Sequence, residues 1–310
     1  MSAFAVVNPR SGGGRTQRDW TKIERRLRGV YPALEIGITR NRGDATKLVR
    51  EALTTGHSEI VAVGGDGTIN EAINGFFEMR GSVAPDAIFS FVTSGTGGDF
   101  RKTFRVDADY DNAISHLRVA PVRAVDVGRL SCVSLTGQPV IRYFINIASF
   151  GLSGLIVNSV NRARIAKLFG GTFAFAFHSA RSMLFYRERV VRLRVDGQFD
   201  ERAAIATVAI ANGQYFGGGM RVAPDAVADD GLFDVVIMGG ERRSVGDLRL
   251  LYSGAHLNTP GVRVIRGRKI VAAPVAETKG RAVLIEVDGE SAGRLPATFE
   301  ILPRALRVRC

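Results

Sequence analysis

The stretch Glu59-Ile60-Val61-Ala62-Val63-Gly64-Gly65-Asp66-Gly67-Thr68-Ile69-Asn70-Glu71 passes from strand to helix within one turn. Glu59–Val63 is a short apolar run, the pattern of a buried strand, and the glycines that follow break it. From Ile69 to Phe77 the apolar residues recur at helical spacing. The same succession stands on either side. Phe4–Val7 runs into Asn8-Pro9-Arg10-Ser11-Gly12-Gly13-Gly14, and Trp20, Ile23 and Leu27 then fall on one helical face. Leu34–Thr39 reads as a strand, and Gly43–Leu53 as a helix with Asp44 near its start. Ile88–Val92 is a fourth strand, ending in Ser94-Gly95-Thr96-Gly97-Gly98-Asp99-Phe100. Strand, loop and helix repeated in this order predict a parallel sheet with helices on both faces.

After about Ala120 the texture changes. Ala124–Leu130, Val140–Ile147, Val190–Val195, Ala204–Ala211, Phe233–Met238 and Val262–Arg266 read as strands, joined by turns such as Asp196-Gly197 and Asn212-Gly213. This predicts a second, mostly antiparallel β domain. The expected division is an α/β domain over 1–122 and a β domain over 123–310, with about 291–310 returning to the first. A chain of 310 residues is long enough for two cores.

The formal net charge is +12, which favours anionic partners: an acidic membrane surface, a phosphorylated small molecule or nucleic acid. No helix-turn-helix, zinc-finger or aromatic RNA-binding motif accompanies it, so nucleic acid is not expected. Two cysteines, Cys132 and Cys310, form no metal-type spacing and fit a reducing cytoplasm. The N-terminus lacks the pattern of a signal peptide, and no run of about 18 apolar residues occurs. A soluble protein is expected.

Loops at the carboxyl ends of parallel strands line the binding crevice of such a sheet. Glycines there let backbone N–H groups approach phosphate oxygens, and a following helix N-terminus favours the negative charge. The loops Asn8–Gly14, Gly64–Thr68 and Ser94–Phe100 could therefore converge on one polyphosphate. The alternative is three unrelated tight turns. None fits the P-loop, because no Gly-Lys-Ser or Gly-Lys-Thr follows the glycines. Asp66 within its glycine run would repel a polyphosphate unless a cation lay between them, which implies Mg²⁺. Read as local structure, it is a turn or cap aspartate.

Gly64-Gly65-Asp66-Gly67-Thr68 with Asn70 and Glu71 resembles the signature shared by diacylglycerol and sphingosine kinases, 6-phosphofructokinases and NAD kinases. Asn8-Pro9-Arg10-Ser11-Gly12-Gly13 is similar to the opening motif of the lipid kinases, and Ser94–Phe100 to their Gly-Thr-x-Asn-Asp-Phe loop. Gly217-Gly218-Gly219-Met220, Ala223-Pro224-Asp225-Ala226 and Asp229–Asp234 resemble the second-domain motif, and Asp288-Gly289-Glu290 the C-terminal acidic one. The matches follow family order along nearly the whole chain. One departs: Gly98 stands where the family has Asn.

The resemblance implies an α/β domain of phosphofructokinase and NAD kinase type followed by an antiparallel β-sandwich. It implies an ATP-dependent lipid kinase that uses Mg²⁺, with diacylglycerol as acceptor. Asn8, Pro9, Arg10, Ser11, Gly12, Gly64, Gly65, Asp66, Gly67 and Thr68, with Asn70 and Glu71 behind them, would form the nucleotide site, lined also by Thr39 and Thr96. Glu290, with Asp288, matches the general-base position. Asp230 and the carbonyls of Val227 and Leu232 match a bound-Mg²⁺ site. From the residues alone Asp288-Gly289-Glu290 also reads as an exposed hairpin turn, and Asp229-Asp230-Gly231 as a turn. Ile165–Tyr186, aromatic and flanked by arginines, reads as a membrane-interface segment or as a helix covering the β domain. Expected with it are a lipid substrate at an acidic membrane, a cytoplasmic, peripherally bound protein, and room for a homodimer. The alternatives are an NAD kinase-like phosphotransferase and a non-catalytic lipid- or nucleotide-binding protein.

Overall fold

A computed structural model describes residues 2–79, 81–94, 98–162, 186–239, 247–275 and 282–310. The chain divides into two compact units, Met1–Val127 with Pro303–Cys310, and Gly128–Leu302. The division falls a few residues beyond 122. The returning segment is shorter than 291–310, because most of the last strand belongs to the second unit.

In the first unit β1 (Ala3–Val7), β2 (Leu34–Ile38), β3 (Glu59–Gly64) and β6 (Ile88–Thr93) form a parallel sheet in the order β2-β1-β3-β6. The end of β17 (Glu290–Arg309) adds a further parallel strand, with Arg307 opposite Ile88. β1, β3 and β6 are buried along their whole length, as strands covered on both faces must be. α1 (Ser11–Val30) and α5 (Tyr110–His116) cover one face, where Ile23, Leu27 and Ile114 pack on Ala5, Val7 and Val61. α2 (Asp44–Thr54) and α3 (Asp66–Gly75) pack on each other so closely that a Cβ on Gly75 would strike Val49. β4 (Phe77–Glu78) and β5 (Gly81–Ser82) make a small hairpin, and α4 (Asp99–Phe104) follows the third loop.

The second unit is a β-sandwich. β16 (Leu284–Val287), β9 (Ile147–Gly151), β12 (Thr207–Ala211), β13 (Phe233–Met238) and β14 (Val262–Gly267) pair in that order, all antiparallel. β11 (Phe199–Ile205), β10 (Arg189–Val195), β15 (Lys269–Pro274) and the middle of β17 form a second antiparallel run. β7 (Val122–Val133) pairs with β8 (Pro139–Phe144). Leu130, Phe144, Phe150, Leu193, Phe233 and Phe299 fill the space between. Two of the expected strands are each two strands: 140–147 breaks before Ile147, and 204–211 breaks at Ala206. An apolar run cannot show such a corner, because both arms are buried. α6 (Leu152–Arg162), α7 (Asp247–Ser253) and a 3-10 turn (Ala255–Asn258) complete the unit.

Candidate active site

The first-unit site begins where the parallel strands end. The ladder continues one residue past each strand: Thr39 N–H donates to Val7 O (2.9 Å), Asn8 N–H to Val63 O (3.0 Å) and Ser94 N–H to Gly64 O (3.0 Å). Four loops therefore open side by side on one sheet edge. Side chains then tie them together. Asn8 Nδ2 donates to Thr68 Oγ1 (2.9 Å), while Asn8 Oδ1 accepts from Arg10 N–H (3.0 Å) and curls the Pro9-Arg10 turn. Ser11 Oγ donates to Asn8 O (2.8 Å) and lies 2.9 Å from Ser94 Oγ. Ser94 also bonds Thr16, which is fully buried.

Gly12, Gly13 and Gly14 have φ of 59°, 66° and 87°, so the regular helix of α1 begins only after them. At Gly12 the requirement is double, because a Cβ there would lie 2.1 Å from the carbonyl oxygen of Ser94. Backbone meeting backbone cannot be relieved by a rotamer. Gly12→Ala is expected to lower the stability of this unit by about 1–3 kcal/mol and to part the first loop from the third. Gly13→Ala, with nothing within 4 Å among the described residues, should cost only the left-handed backbone, about 1–2 kcal/mol. Urea titration with nucleotide binding measured alongside separates them: only Gly12→Ala should lose nucleotide affinity beyond its stability loss.

Asp66 opens α3 after the extended Gly65. One oxygen, Oδ2, accepts the N–H of Asp99 at 3.4 Å and so ties the second loop to the third. The other, Oδ1, is buried and has no hydrogen-bond partner among the described residues. Burial, then the nearby Asp99, pushes the Asp66 carboxyl above its usual range, while backbone N–H groups of the third loop pull the other way. Asp66 therefore does not cap α3; one of its oxygens holds the third loop instead. The orphaned second oxygen fits an Mg²⁺ ion accompanying a polyphosphate.

Asn70 and Glu71 do other work. Asn70 is buried and its carbonyl accepts from Asn74, while Glu71 Oε1 holds the N–H of Gly43 (2.9 Å) at the start of α2. They support the loop from behind. Thr39 is buried at the sheet edge beside Asn8, and Thr96 lies outside the described residues, as do 165–185 of the aromatic segment.

Gly98 has φ 63°, a conformation Asn also tolerates, yet a Cβ there would lie 2.6 Å from Arg101 Nε. Arg101 occupies the space the family's side chain would take. With Arg15, Thr16, Thr93 and Ser94 it lines a cavity of about 130 Å³. Gly98→Asn should displace Arg101, so its effect on nucleotide affinity should largely vanish in an Arg101→Ala background. Affinity titration of the double-mutant cycle should give a coupling of about 0.5–1 kcal/mol.

In the second unit, Asp288 and Gly289 have φ of 48° and 83°, and Val287 faces Glu290: a two-residue primed hairpin turn. The turn is clamped. Asp288 N–H donates to Ile147 O (2.9 Å), Asp288 Oδ1 accepts Ile147 N–H (3.0 Å), and Gly289 N–H donates to Glu286 Oε2 (2.8 Å). Asp288 is 8% exposed, so its carboxylate positions the turn, and Glu290 is the half-buried acid the turn presents. Glu286, 2% exposed and bonded to Ser149, is the supporting residue that sequence reading missed. Its only signal was one acid inside the apolar strand Leu-Ile-Glu-Val.

Asp230 does not offer the expected donor set. Its Oδ1 accepts Leu232 N–H (3.0 Å) and its Oδ2 is paired with Arg266, which also donates through Nε to Asp234 Oδ1 (2.8 Å). Val227 lines the same cavity, of about 250 Å³. A divalent cation on Asp230 would share it with a guanidinium, so the residues do not fit a metal. Among the described residues no group of three or more His, Cys, Asp or Glu forms a metal cluster.

A parallel α/β unit with glycine loops at its carboxyl edge, on one chain with an antiparallel β-sandwich, is the architecture of the diacylglycerol and NAD kinases. The family model for the diacylglycerol kinase catalytic domain matches residues 2–130, and that for the YegS C-terminal NAD kinase beta sandwich-like domain matches residues 146–310. The chain belongs to the diacylglycerol kinase family of lipid kinases. A Pseudomonas putida protein named "Probable lipid kinase YegS-like" is 31% identical, over 91% of this chain and 87% of its own length. A Staphylococcus haemolyticus diacylglycerol kinase is 27% identical, over 99% of this chain and 87% of its own. The crystal structure of a diacylglycerol kinase from Bacillus anthracis superposes with TM-score 0.69 at 21% identity, covering 99% of this chain and 96% of that one. Yeast NADH kinase gives 0.51 at 12%, covering 100% and 83%. These two likenesses show the fold.

Proposed function

We propose that the protein transfers the γ-phosphoryl group of Mg-ATP to the hydroxyl of a lipid, diacylglycerol, giving phosphatidic acid. The observation that carries this is the convergence of three loops at the sheet edge around Asp66, whose second carboxylate oxygen is buried and unpartnered among the described residues, in a chain of the diacylglycerol kinase family. The loops Asn8–Gly12 and Gly64–Thr68 would surround the phosphates, and the N-terminus of α3 would favour their negative charge. Mg²⁺ held by Asp66 supplies charge neutralisation when bound. Glu290 takes the proton of the acceptor hydroxyl as its oxygen bonds to the γ-phosphorus, and the β–γ bridging oxygen leaves with ADP.

The acceptor is met at an anionic membrane surface, for which the net charge of +12 supplies attraction. Among the described residues no helix is long and apolar enough to cross a membrane. The test is transfer of labelled γ-phosphate from Mg-ATP to a panel holding diacylglycerol, sphingoid bases, other glycerolipids, prenols and NAD, with the lipids in anionic vesicles. Label in diacylglycerol is the expected result. Label in NAD alone would make the protein an NAD kinase, and nucleotide binding with no labelled acceptor would make it a non-catalytic binder.

A further inference from the structure

We propose that Arg266 is the built-in cation of the second unit, its guanidinium taking the place where the resemblance puts a divalent ion and ordering the 225–234 loop without metal. Three facts converge on it. Arg266 on β14 stands directly opposite Asp234 on β13 in the antiparallel register, so strand pairing itself delivers the guanidinium to the acids. Its planar fork then spans two of them, Nε to Asp234 Oδ1 at 2.8 Å and Nη2 to Asp230 Oδ2. Asp230 uses its remaining oxygen on the N–H of Leu232, which closes the turn at Gly231, where φ is 75°. One residue thus joins the loop to the strand that follows it.

The electrostatics favour such a cation. Asp234 is 3% exposed, and a third acid, Asp225, lines the same cavity. A buried carboxylate beside two more exposed acids is stabilised by a positive partner. A divalent ion would need an Asp230 oxygen, and both are taken, Oδ1 by the Leu232 N–H and Oδ2 by the guanidinium. Arg266 meets the need with a charge that cannot be titrated away or chelated.

The experiment compares melting in EDTA and in millimolar MgCl2, without nucleotide or lipid, for wild type, Arg266→Met, Arg266→Lys and Asp230→Asn. It is independent of the transfer assay. Wild type is expected to show no MgCl2-dependent rise in melting temperature, and no saturable site in isothermal titration, that Asp230→Asn removes. Arg266→Met should melt about 3–10 °C lower, with part of the loss recovered by MgCl2, which can now reach the vacated acids. Arg266→Lys, charged but without the fork, should fall between. Wild type stabilised by MgCl2 in a way Asp230→Asn abolishes would overturn the proposal, as would an Arg266→Met protein as stable as wild type. If Arg266→Met does not fold, the wild-type titration and Arg266→Lys still decide.

Discussion

Arg309→Leu is expected to cost the first unit about 3–5 kcal/mol, because it strands a fully buried carboxylate. Glu59, 0% exposed at the start of β3, receives Arg309 through two bonds, Nε to Oε1 at 2.9 Å and Nη2 to Oε2 at 3.0 Å. Tyr31 Oη (2.5 Å) and Ser90 Oγ (2.8 Å) also donate to Oε1. Burial pushes the Tyr31 phenol well above its ordinary pKa, and the Glu59 beside it adds to the rise, so the donor stays protonated. Two residue pairs join β17 to β6, and β17 also pairs with β7, so the ion pair adds to strand pairing in holding this segment. Trp20, the single tryptophan, packs against the same core and reports the unfolding by fluorescence in a denaturant titration. Glu59→Gln combined with Arg309→Leu should recover much of the loss, since no charge is then left buried. A single Arg309→Leu variant within about 0.5 kcal/mol of wild type would show that water reaches Glu59 and that the network is dispensable.

Glu290→Gln is expected to lower phosphoryl transfer by about 10²–10⁴-fold while leaving nucleotide affinity unchanged. The amide keeps the size of the side chain and removes the base. The turn before it is held by the backbone of Ile147 and by Glu286, so loss of the carboxylate should not relax the hairpin. Asp288→Asn is the control, because its amide oxygen can still accept the Ile147 N–H, and it should retain most of the activity. Initial rates with labelled ATP, beside a direct nucleotide titration, measure both. Full turnover by Glu290→Gln would remove Glu290 from the chemistry.

The sequence by itself determined the alternation of buried strands, glycine loops and helices in the first unit, since β1, β3 and β6 are largely apolar runs, each followed by a glycine-bearing loop. It also marked the hairpins at Asp196-Gly197 and Asp288-Gly289, where a left-handed pair of residues has its own composition. What it left open depended on pairing between distant residues. Asp66 was legible as a turn or cap aspartate or a cation ligand, and only the approach of the third loop gave one oxygen to Asp99 and left the other without a partner among the described residues. Glu71 matched a nucleotide motif, yet its carboxylate turned out to hold Gly43. Ser94 and Thr16 acquire their roles only because the β1 and β6 loops meet. Asp230 read as a metal ligand until strand register set Arg266 opposite Asp234. A residue's type and its neighbours in sequence fix the conformations and bonds open to it, but the partner that takes each bond comes from strand register and loop convergence, which only the tertiary structure decides.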